Sequence, residues 1–181
     1  MRKVIAALFI SLDGVVESPD KWQEHFDEDM GQAMMEQLNS QDAVLLGRVT
    51  YQEWASYWPT ATDEPFASFI NSTPKYVFST TLDNVEEWQN STLMKGDLVE
   101  EITQLKQQPG KNIGTAGSPT LVHSLLEQGL VDELILLVHP VVVGSGKRLF
   151  KDGDSLKILN LLSAKPTRTG TVMLTYQPRK A

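Results

Sequence analysis

The chain has 181 residues, 41% hydrophobic and 22% charged, with a formal charge of −7 and a pI near 4.9. That size and balance suit one globular domain able to bury a full core, and the acidity argues against nucleic acid as a partner, since phosphate contacts need clustered Lys and Arg. The absence of cysteine excludes disulfides, thiolate catalysis and thiolate metal sites within the chain, and fits a cytoplasmic setting.

Met1-Arg2-Lys3 precedes an apolar run, as in a leader peptide, but the run is short and ends in Ser11-Leu12-Asp13-Gly14. Lys3–Leu12 is therefore expected as a buried first strand, and no segment approaches the length of a membrane span. Val15–Lys21 lacks periodicity and reads as a loop over a site mouth. In Glu28–Asn39, Met30, Ala33, Met34 and Leu38 recur at helical spacing, which predicts a helix with a core-facing stripe. Ala43–Leu46 predicts a short strand, Val49–Tyr57 a helix, Pro59–Pro65 a polar loop, Phe66–Asn71 a helix, Lys75–Ser79 a strand and Leu98–Gln107 a helix.

Lys111–Gly117 reads as a strand ending in glycines. Ser118-Pro119 then opens a helix, with Ser118 as the expected cap, Leu121, Leu125 and Leu126 as an apolar stripe, and Gly129 as the stop. Leu134–Val138 is continuously apolar, as in a strand covered on both faces. Strand, helix and strand at this spacing form a βαβ unit. Gly144–Gly146 turns the chain, and Leu156–Lys165 with Thr171–Gln177 predict an antiparallel hairpin around Thr169-Gly170. The expected fold is a single three-layer α/β domain over residues 1–181, with a mixed, mostly parallel sheet closed by that hairpin.

Ligands of open α/β sheets sit at the carboxyl ends of strands, and three such ends here carry groups suited to phosphate. Gly114-Thr115-Ala116-Gly117 faces a helix N-terminus, where small residues let phosphate approach free N–H groups. Gly47 permits a turn before Arg48, a permanent cation, and Thr50 places a hydroxyl at a helix start. Ser79-Thr80-Thr81 is a row of hydroxyl donors. Each alone also reads as ordinary structure: a tight turn, a surface ion pair, a solvated loop. Their recurrence at successive strand ends points to an extended nucleotide.

Four pieces, in order along the chain, resemble the dihydrofolate-reductase-like superfamily. They are Ser11-Leu12-Asp13-Gly14, Gly47-Arg48-Val49-Thr50-Tyr51, Gly117-Ser118-Pro119-Thr120-Leu121, and the stretch from Gly129-Leu130-Val131-Asp132-Glu133-Leu134 through Pro140 to Gly144-Ser145-Gly146-Lys147-Arg148-Leu149-Phe150. Within that superfamily the likeness is to the C-terminal reductase domain of bifunctional riboflavin-biosynthesis proteins and its stand-alone relatives. The resemblance implies an NADPH-dependent reductase of a small, heteroaromatic or carbonyl-like substrate. It implies that Gly47, Arg48 and Thr50 hold the adenosine-side phosphates, with Ser79 and Thr80 near the adenine ribose. Gly117 and Ser118, with Gly114, Thr115 and Thr120 around them, take the pyrophosphate. Ser11, Asp13 and Gly14 line the nicotinamide and substrate mouth, and a cis bond at Gly117–Ser118 aims amides at the cofactor.

Departures from that pattern bear on the substrate. The acidic residue that dihydrofolate reductases place on their first helix has no motif match, although Asp27, Glu28 and Asp29 lie nearby. Glu17–Asn39, where the riboflavin-pathway domain reads a ribose phosphate, carries one Lys, no Arg and seven carboxylates. A phosphorylated substrate is repelled there, so the 5-amino-6-(5-phosphoribosylamino)uracil reductase of riboflavin biosynthesis stands as an alternative, as does a nucleotide-binding protein without catalysis.

Asp13 is the candidate to orient substrate or donate a proton, although Asp-Gly is also a common turn pair. Trp22, Trp54 and Trp58 are candidates to wall a flat substrate, with core packing as the default for tryptophan. His139 reads as a partly buried structural histidine, and His25 and His123 as surface residues. No His/Asp/Glu spacing resembles a metal site. The apolar residues Val141–Val143, Leu156, Ile158, Leu159, Leu161 and Leu162 exceed what one sheet face needs, which predicts a two-fold homodimer through the last strands.

Overall fold

The apolar runs become the inner strands of one eight-stranded sheet, ordered β4-β3-β2-β5-β1-β6-β8-β7. The computed structural model describes residues 1–179, apart from the side chain of Ala116. The strands are β1 (Val4–Ser11), β2 (Gln41–Gly47), β3 (Lys75–Phe78), β4 (Ser91–Met94), β5 (Asn112–Ala116), β6 (Glu133–His139), β7 (Leu159–Pro166) and β8 (Val172–Pro178). Strands β1 to β6 run parallel, and β8 and β7 close the sheet antiparallel. All six parallel strands therefore point their carboxyl ends at one edge.

Helices α1 (Glu28–Asn39), α2 (Arg48–Ala55), α3 (Phe66–Ser72), α4 (Leu98–Gln107) and α5 (Pro119–Glu127) connect them. Alternation along each strand splits the sheet residues between two faces. On one face, Ile102 and Leu105 of α4 and Leu121, Val122, Leu125 and Leu126 of α5 pack on Val4, Ala6, Ala43, Leu45, Ile113 and Leu134. On the other, Tyr51 of α2 and Ile70 of α3 pack with Trp88 against Val44, Leu46 and Val77. Each Val, Leu or Ile side chain among them contributes about 1.5–3 kcal/mol on burial. Right-handed crossovers fix this division: connections running toward β4 place helices on one face, and those returning toward β6 place them on the other.

The structure corrects several expectations. Strand β4 was not foreseen, because Ser-Thr-Leu-Met is only four residues long and half apolar; pairing with β3 at the sheet edge makes it a strand. The hairpin begins at Leu159, leaving Leu156 outside it and 90% exposed. The cis bond among the described residues joins Glu64 to Pro65, not Gly117 to Ser118. No helix among the described residues is long and apolar enough to cross a membrane.

Candidate active-site cleft

The starts of α1 and α4 differ from those of α2 and α5. Asp27 caps α1 by accepting from Met30 N at 3.0 Å, and Asp97 caps α4 by accepting from Val99 N at 2.9 Å and Glu100 N at 3.1 Å. Helices α2 and α5 begin at the ends of the neighbouring strands β2 and β5, and neither has a side-chain cap. Their first-turn N–H groups remain open to an anion, and the macrodipoles add positive potential at the same point.

Ser118 is the expected cap that does not cap. Its φ of +56° follows Gly117 at +75°, and two successive left-handed residues swing its hydroxyl away from the helix. The hydroxyl packs against Gly47 instead. A Cβ on Gly47 would collide with Ser118 Oγ, 3.2 Å from Ser118 Cβ and 3.8 Å from Leu121 Cβ. Gly47 is thus required for the two helix-start loops to close on each other. A Cβ on Gly117 would meet nothing within 4 Å, so its side of the turn stays open. Gly114 serves packing: the Gln41 side chain lies where its Cβ would be.

These loops edge a cleft of about 2050 Å³. Of the residues singled out from the sequence, Gly47, Arg48, Thr50, Trp54, Ser79, Thr80, Thr115, Gly117, Ser118 and Thr120 line it. Arg48, exposed at the start of α2, bonds Gln52 Oε1 at 2.9 Å and forms no ion pair among the described residues. Ser79 Oγ accepts from Thr81 N and Leu82 N, each at 3.1 Å, and lies 3.4 Å from Thr81 Oγ1, which fixes the turn after β3. Thr115 Oγ1, buried at the end of β5, has no hydrogen-bond partner among the described residues.

Ser11, Asp13, Gly14 and Trp22 stand outside the lining of this cleft. Asp13 accepts from Ser11 Oγ at 2.6 Å, Val143 N at 3.0 Å and Gly144 N at 2.8 Å, and Arg148 lies 3.6 Å away. The Ser11 hydroxyl and the two amides hold its carboxyl well below the usual range. A carboxylate so held clamps the β1 loop to the turn after β6, and these bonds favour its ionised form. Asp13→Asn should therefore loosen the loop yet leave the shape of any pH–rate profile between pH 4 and 8 (roughly the range where a raised carboxyl would titrate) unchanged. A limb of that profile lost in the variant would restore Asp13 as the acid.

Trp22 packs edge-on to His139 with ring centroids 5.7 Å apart, and Phe9 does so at 5.5 Å. His139 is 4% exposed, and burial pushes its pKa down against the pull of Asp27. Its Nε2 has no partner among the described residues, and Nδ1 lies 3.4 Å from Thr171 Oγ1. Asp27 is committed to the α1 cap and to Thr169, which donates from N at 3.1 Å and from Oγ1 at 2.8 Å. The Met30 amide, then Thr169, holds its carboxyl well below the usual range.

Sequence reasoning missed much of the apolar wall. Phe9 points to the cleft because it is out of phase with Leu8 and Ile10, and Phe26, Met34, Tyr57 and Phe66 join it. The helical spacing of Met30, Ala33, Met34 and Leu38 signalled an apolar stripe, of which Met30 and Leu38 are buried while Ala33 and Met34 stay half-buried beside the cleft. His123 is half-buried against Asp154 at 2.9 Å, not free on the surface. With Glu127 these two side chains form the single metal-like grouping among the described residues, which spacing along the sequence did not show.

Comparison with known proteins places this geometry. The family model of the RibD C-terminal domain matches residues 2–175. The uncharacterised Bacillus subtilis protein YyaP is 32% identical over 181 residues, covering 97% of this chain and 94% of its own. A crystal structure of a Shewanella sp. PV-4 protein described as a riboflavin biosynthesis protein superposes with a TM-score of 0.80 at 21% identity, over 98% of this chain and 99% of that one. Dihydrofolate reductase from Enterococcus faecalis, solved with NADP(H), superposes with a TM-score of 0.66 at 13% identity, over 98% and 97%. These two likenesses are of fold.

Proposed function

The chain belongs to the RibD C-terminal domain family, and from that premise we propose that it is an NADPH-dependent reductase of a small heteroaromatic or carbonyl-like substrate. One observation carries the reading: two uncapped helix starts at adjacent strand ends, closed on each other through Gly47 and Ser118, on a cleft whose other wall is apolar. The residues fit a dinucleotide. First-turn amides of α2 and α5 suit phosphates, Gly117 leaves room for close approach, and Arg48 and the Ser79 and Thr80 hydroxyls suit a ribose phosphate.

The group held there would supply a hydride to the substrate. The chain's part is to bind, orient and exclude water. Phe9, Phe26 and Met34 supply the apolar wall against which a flat ring would lie. Reduction also needs a proton, and the hydrogen bonds that hold Asp13 and Asp27 favour their carboxylate forms.

Arg48 tests the cofactor. NADPH is expected to bind more tightly than NADH, and Arg48→Ala to remove most of the difference. A charge-assisted contact is worth about 1.5–3 kcal/mol, or roughly tenfold to a hundredfold in affinity. Calorimetric titration of both cofactors decides it; equal binding by wild type, or unchanged NADPH affinity in the variant, removes Arg48 from the site.

The protein is also expected to work as a homodimer. β7 is the sheet edge, Leu161 and Leu162 are exposed on it, and Ile158 is exposed just before it. Apolar side chains on an open edge mark a partner surface. Light scattering at micromolar concentration should give twice the 20.2 kDa chain mass; a monomeric mass refutes this.

A further inference from the structure

The cleft has two ends of opposite chemistry. At the strand ends stand Arg48 and the open helix starts. Away from them, along α2 and the segment that follows it, Trp54, Tyr57 and Trp58 form an aromatic wall, with Trp54 and Trp58 centroids 5.7 Å apart and Tyr57 and Trp58 centroids 5.0 Å apart. Two exposed carboxylates, Glu53 and Asp63, line the same stretch. Asp63 is fixed there by the Tyr57 hydroxyl, which donates to its Oδ2 at 2.7 Å. Glu53 has no ion-pair partner among the described residues, since Arg48 turns to Gln52.

The basic residues of the cleft lie elsewhere. Arg48 marks the strand ends, Lys147 is 3.5 Å from Glu17, Lys21 sits in the loop before α1, and Lys165 is on β7. Beyond the first turn of α2, where Arg48 stands five residues before Glu53, no Lys or Arg accompanies Glu53 and Asp63 among the described lining residues. A phosphate or carboxylate tail placed there would meet carboxylates and ring faces, both of which repel anions. A cation meets both favourably, because ring faces and carboxylates carry the same sign of potential.

We infer that this end of the cleft selects a substrate bearing a cationic or uncharged aromatic tail and rejects a phosphorylated one. The inference rests on the reductase reading for the word substrate, but its physical content is a charge preference that can be measured without turnover. 1-Naphthylmethylammonium and 1-naphthylacetate present the same ring with opposite charge, and NMR titration of each into the full chain gives the preference directly. The cation is expected to bind about tenfold more tightly, with a ratio that shrinks as salt rises. The double variant Glu53→Gln, Asp63→Asn should bring the ratio near one, and Glu53→Lys should reverse it; both positions are exposed, so the fold is retained. Equal or tighter binding of the anion by wild type, or a ratio indifferent to these variants, overturns the inference. NADPH titrated into the same samples separates the two claims. Charge preference without NADPH binding sinks the reductase reading alone, and NADPH binding without charge preference sinks this inference alone.

Discussion

Gly47→Val should lower NADPH affinity by at least about a hundredfold, a loss of about 2.7 kcal/mol, while the protein stays folded. The expectation follows from the contact between the helix starts. Any side chain at position 47 enters the space of Ser118, whose Cβ would lie 3.2 Å from the new Cβ. Ser118 is held at a φ of +56°, a conformation that an L residue keeps only when its surroundings enforce it. The cheapest relief is for the Gly117-Ser118 turn to move, which carries the first-turn amides of α5 away from those of α2. Adding Ser118→Gly should recover most of the lost affinity, because it removes the obstructing atoms and suits a positive φ. A double variant as weak as Gly47→Val would show that the steric account is wrong, and unchanged binding in Gly47→Val would show that the two loops do not form the cofactor site.

Lys75→Ala should cost about 3–5 kcal/mol of stability, the range for large buried truncations that also strand polar groups. Lys75 is 0% exposed, and its ammonium donates to Ile70 O at 2.9 Å and Thr73 O at 3.0 Å, 4.5 Å from the Trp88 ring centroid. Ile70 lies in the last turn of α3, so the charge also meets the negative end of that helix. Burial nonetheless pushes its pKa down, to about 8. Below pH 8 both folded and unfolded chains carry the proton and this group adds no pH dependence. Between pH 8 and the unfolded value near ~10.4 the unfolded chain binds the proton and the folded chain has released it. Stability must then rise with pH, by about 1.4 kcal/mol per unit. Denaturant unfolding from pH 8 to 9.5 should show that rise in wild type and not in Lys75→Met. The window stops short of the titration of Tyr51, which burial raises, and of Lys3, which Glu133 raises. A flat wild-type profile would mean that the two carbonyls and the indole keep Lys75 charged despite its burial.

The parts legible in the sequence were those written as local chemistry. Apolar runs such as Leu134–Val138 became inner strands, the Leu121, Leu125 and Leu126 stripe became the buried side of α5, and the glycine- and hydroxyl-bearing strand ends came together at one edge because parallel strands put them there. What escaped depended on partners far along the chain. Asp13 looks like a free acid beside a glycine until Val143 and Gly144, 130 residues away in the case of Val143, are seen to clamp it. Ser118 has the identity and spacing of a cap, but its positive φ turns it from the helix and its hydroxyl packs on Gly47, a long-range contact that no local rule contains. β4 is a strand through pairing with β3, not through its own propensity. Lys75 reads as a polar strand start, and the end of α3 and the Trp88 ring, both distant signals, bury it.

The account stands most directly on whether this cleft takes the dinucleotide at all. Calorimetric titration of NADPH into the wild-type protein, at low salt and near neutral pH, is the measurement. Saturable binding of one NADPH per chain, tighter than NADH, is the result predicted. Absence of saturable binding for both cofactors up to about 1 mM, where the binding free energy falls to about 4.1 kcal/mol, would contradict it.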